Sequence, residues 1–99
     1  MNELATALSV IRDYIDEFFF EPRKNWPDHE FNRRSYERWA AKELMLYLEG
    51  HWGEKKPADL IIAFIGTMDA YSDICDEKLK TFRFGLARDT AEEILYLFL

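Results

Sequence analysis

Asp69 and Asp73 stand four residues apart, and so do Asp89 and Glu93. Carboxylates at that spacing share one face of a helix. Two helices that each carry such a pair can hold Mg²⁺ or Mn²⁺, hard ions that take oxygen ligands. An ion so held would polarise a phosphate ester, so Asp69, Asp73, Asp89 and Glu93 are the candidate set for a metal-dependent phosphate-ester hydrolase. The turn that follows Cys75 decides whether the pairs meet. A turn near residue 76 offsets them by about six residues, or roughly 9 Å at 1.5 Å per residue, too far to share an ion. A turn near Phe82 brings them level.

Other chemistry has less to stand on. His29 and His51 fall in expected loops, and neither belongs to a zinc-type cluster or an HExxH pair. Cys75 is the only cysteine. It lies on an apolar row and reads as a buried structural thiol rather than a nucleophile. There is no Gly-x-Ser-x-Gly turn and no glycine-rich phosphate loop. No cofactor is expected, and no family is recognised.

One basic zone exists. Arg23, Lys24, Arg33, Arg34, Arg38 and Lys42 are interleaved with Trp26, Tyr36 and Trp39, the composition a nucleic-acid surface would use. Glu30, Glu37 and Glu43 share that stretch, so pairing within the chain is the competing account. The formal net charge is −6, and an acidic chain is a poor nonspecific binder of nucleic acid or anionic membrane. It suits a basic protein partner better. Asp69, Asp73 and Asp76 likewise read as a solvated acidic line, with Lys78, Lys80 or Arg88 near enough to answer it.

These residues must be positioned by helices. Around Pro57 to Cys75 the chain carries its longest apolar run. Leu60, Phe64, Met68, Tyr71 and Cys75 form one row, and Ile61, Ile65 and Ser72 an adjacent one, together a wide stripe of helical period. Pro57 suits a first helical turn, and Asp59 beside it is favoured by the exposed N–H groups there. The stripe is wide enough to touch two neighbours, so this segment is expected to be the central helix. Upstream, Leu4, Leu8, Ile11, Ile15 and Phe18 step by four, three, four and three, a bundle seam over about 3–20. Phe18, Phe19 and Phe20 point in different directions, so at least one ring must leave that seam.

Two prolines, an Asn and an Asp mark 21–29 as a loop, with Trp26 laid over the end of the bundle. A second helix is expected over about 31–49, with Asp28 as an upstream cap and Gly50 just beyond its end. Ala40 and Ala41 on it would permit close helix approach. Residues 44–48, LMLYL, are apolar all round, so this part is enclosed or joins a partner. After Cys75 two arrangements are open. One turns near 74–77 into a helix over 77–98. The other runs on to about Arg83, turns at Gly85, and caps a short last helix with Thr90 and Glu93. The first closes a bundle better.

The expectation is a single all-α domain over 1–99. Its form is a compact antiparallel four-helix bundle with helices at about 3–20, 31–49, 57–75 and 77–98. Half the residues are apolar, and no run is long enough to cross a bilayer. The N-terminus lacks a basic n-region, so the context is read as reducing and cytoplasmic. Surplus apolar surface at Phe18–Phe20, Leu44–Tyr47 and Leu95–Leu99 points to a small acidic protein that works by binding another protein. It would be an adaptor or inhibitor that also self-associates as a homo-oligomer. Phe19, Phe20, Trp26, Arg34, Arg38 and Trp52 are the candidate contact residues. The metal-dependent hydrolase and a DNA-associated regulator are the alternatives.

Overall fold

The computed structural model describes residues 3–19, 27–53 and 56–99. Four α-helices pack against one another, with no strand among the described residues. They are α1 (Glu3–Phe19), α2 (Asp28–His51), α3 (Pro57–Ile74) and α4 (Lys78–Leu95), and a 3-10 turn over Tyr96–Phe98 follows α4. The all-α, bundle-like expectation therefore holds.

The helix ends correct several readings. α2 begins at Asp28, which is its first helical residue rather than an upstream cap; Pro27, extended at φ −59° and ψ 156°, precedes it. Gly50 lies inside α2, and the helix stops at Trp52, which is extended at φ −68° and ψ 136°. An extended residue breaks the i→i−4 ladder as surely as a left-handed glycine does, and no described residue has a positive φ. α3 starts as expected. Pro57 occupies the first turn with Asp59 beside it, and the Leu60 N–H donates to the Lys56 carbonyl at 3.3 Å.

The turn after α3 is the earlier of the two alternatives. Cys75 (φ −87°, ψ 121°) and Glu77 (φ −78°, ψ 123°) are both extended and flank Asp76. The Cys75 N–H closes α3 on the Tyr71 carbonyl at 3.1 Å. The Cys75 carbonyl accepts the Thr81 hydroxyl at 2.8 Å, which ties the turn to the first turn of α4. Cys75 is therefore a half-buried turn residue and not a core thiol. Gly85 sits within α4, and Thr90 is a buried mid-helix residue rather than a cap.

The core draws on all four helices. Ile11 and Ile15 come from α1, Leu44 and Leu48 from α2, Leu60, Ile61, Phe64 and Met68 from α3, and Ile94 from α4. Each such side chain, removed from water, contributes roughly 1.5–3 kcal/mol. Ala40 and Ala41 on α2 and Ala87 and Ala91 on α4 are also almost solvent-free. Side chains this small let two helix backbones come close. α2 and α4 pack on each other and both pack on α3, while α1 packs on α2. As expected, α3 touches two neighbours, α2 and α4, and its packing on α4 is the most extensive between any two helices described. The molecule measures 42 × 35 × 21 Å along its principal axes. At about 10–12 Å per helix it is two layers thick, so every helix keeps a face to solvent.

Candidate interaction surface

The four carboxylates of the metal hypothesis go to different partners. Asp69 and Asp89 both meet the Arg88 guanidinium, at 3.4 and 3.2 Å, and Glu92 binds the same group. That hydrogen bonding, with Asp89 first and the charges of Glu92 and Asp69 added, holds the Arg88 pKa above its usual value. Glu93 accepts a 3.0 Å hydrogen bond from the Tyr14 hydroxyl of α1. Asp73 is exposed. Among the described residues no three His, Cys, Asp or Glu side chains stand together as metal ligands. The acidic line on α3 is answered at Asp69 by Arg88, while Lys80 pairs with Glu77 at 3.7 Å.

The basic line is broken up by its own helix and its neighbours. Arg33 pairs with Glu37 at 3.1 Å. Arg34 and Arg38 are half-buried, and the Arg38 Nε is shielded from water without a hydrogen-bond acceptor. Lys42 is exposed, with no partner among the described residues. Trp52, expected at an interface, is half-buried and packs against the core at the end of α2. Phe20 and Trp26 lie outside the described residues, and so does the Phe19 side chain.

What the sequence reading missed is a seam of aromatic rings shared by α2, α3 and α4. Tyr36 meets Phe82 edge-on at 6.0 Å between centroids. Trp39 meets Phe84 at 6.5 Å, and Phe84 meets Tyr71 at 5.3 Å. Arg83 lies over the Trp39 ring, 3.8 Å from its centroid, a cation–π contact that sheathes the indole. Farther along, Tyr47 meets Phe64 at 5.5 Å and stacks on His51 at 4.0 Å. Several of these rings are only half covered: Tyr71 is 45% exposed and Phe82 50%. Tyr71 belongs to the apolar row of Leu60, Phe64 and Met68. It lies at the edge of the buried stripe, where α3 faces Phe84 rather than the bundle interior.

Beside the seam, α2 and α3 part to leave an open groove of about 500 Å³. Glu43, Leu46, Tyr47 and His51 form the α2 wall, and Phe64, Thr67, Met68 and Tyr71 the α3 wall. Leu46 is 60% exposed at its lip. The polar groups here are largely turned inward. The Thr67 hydroxyl donates to the Ala63 carbonyl of its own helix at 3.0 Å, and His51 Nδ1 donates to the Tyr47 carbonyl at 2.9 Å. The arrangement offers apolar and aromatic contact with few fixed polar groups. One signal for it lay in the sequence: no Lys or Arg occurs between Glu43 and Gly53, or between Pro57 and Glu77. No helix among the described residues is long and apolar enough to cross a membrane. No protein-family model matches the chain, and neither a curated protein nor a solved structure matches it.

Proposed function

We propose that this chain acts by binding, as a protein-interaction module whose docking face is the aromatic seam and the adjoining groove of α2 and α3. The observation that carries the reading is the half-exposed ring line Tyr71–Phe84–Trp39 beside Leu46, on the face that also holds the groove. Rings of this kind supply large contact area at low entropic cost and dominate the centres of protein interfaces. Their partial burial holds them in place before any partner arrives, which lowers the ordering cost of binding. Such a face suits an adaptor or an inhibitor.

Oxidative footprinting in the native host, compared with the dilute purified chain, tests this. Leu46, Tyr71 and Phe82 should be protected from labelling in the cell, while Ile62, equally exposed on α3, should label alike in both. Equal labelling of all four in both settings would refute the reading.

A further inference from the structure

We draw no further inference here: the strongest candidate, the open apolar groove between α2 and α3, has half-buried Glu43 as the one carboxylate among its described lining residues, and nothing in the structure shows what covers it.

Discussion

The Tyr14 hydroxyl donates a 3.0 Å hydrogen bond to the Glu93 carboxylate, joining the first helix to the last. Burial, then the hydrogen bond and the negative charge of Glu93, push the Tyr14 pKa well above its ordinary value of 10.0. An acid whose pKa is raised on folding adds stability that is complete below its unfolded pKa and is lost as pH rises toward the folded one. Unfolding free energy should therefore fall above about pH 10 more steeply in the native chain than in Tyr14→Phe. At neutral pH that variant should lose about 0.5–1.5 kcal/mol. Denaturant titrations at several pH values check both, and parallel curves above pH 10 would contradict the linkage.

Arg88 is shared by Asp69, Asp89 and Glu92, so it holds α4 to α3 and answers the acidic line at Asp69. Arg88→Ala should lower the melting temperature at low salt. The difference should narrow in 1 M NaCl, where the Debye length is about 3 Å. Because those carboxylates face a guanidinium and Glu93 faces Tyr14, Mg²⁺ or Mn²⁺ should give no rise in melting temperature that Asp73→Asn removes. An Asp73-dependent rise would restore the metal-enzyme alternative.

Gly66 and Gly85 both lie inside helices with φ in the ordinary range, and a Cβ at either would meet nothing within 4 Å. Gly66→Ala and Gly85→Ala should each stabilise by about 0.5–1 kcal/mol, since glycine in a helix interior costs that much relative to alanine. Gly85→Ala also separates the two turn positions. Were the turn at Gly85, as the rejected alternative had it, alanine would destabilise.

The core should resist change in both directions. Leu44→Ala should cost about 2–5 kcal/mol through lost burial and a residual cavity. Ala41→Leu, at a solvent-free position of α2, should cost about 1–3 kcal/mol by overpacking. At about 4–8 °C per kcal/mol for a domain of this size, both are plain in a thermal melt.

The helices were legible because their apolar residues recur at helical spacing. Ile11, Leu44, Leu60, Phe64 and Ile94 are buried where the periodicity put them. The ends were less legible, for a physical reason. Trp52, Cys75 and Glu77 stop or start helices in extended backbone that any residue adopts, so neither glycine nor proline marks the turn at Cys75–Glu77. Gly50 and Gly85 misled for the converse reason, being plain helical residues. The docking face was least legible of all. It is built across helices, and only the packing angle places Tyr71 and Trp39 on either side of Phe84.

Site-specific photocrosslinking tests the docking face most directly. A photoreactive residue at Leu46, in the chain expressed in its native host, should give a discrete protein adduct. The same residue at Ile62 should give none, and Tyr71→Ser should remove the Leu46 adduct. Adducts of equal yield at both positions, or none at Leu46, would contradict the account.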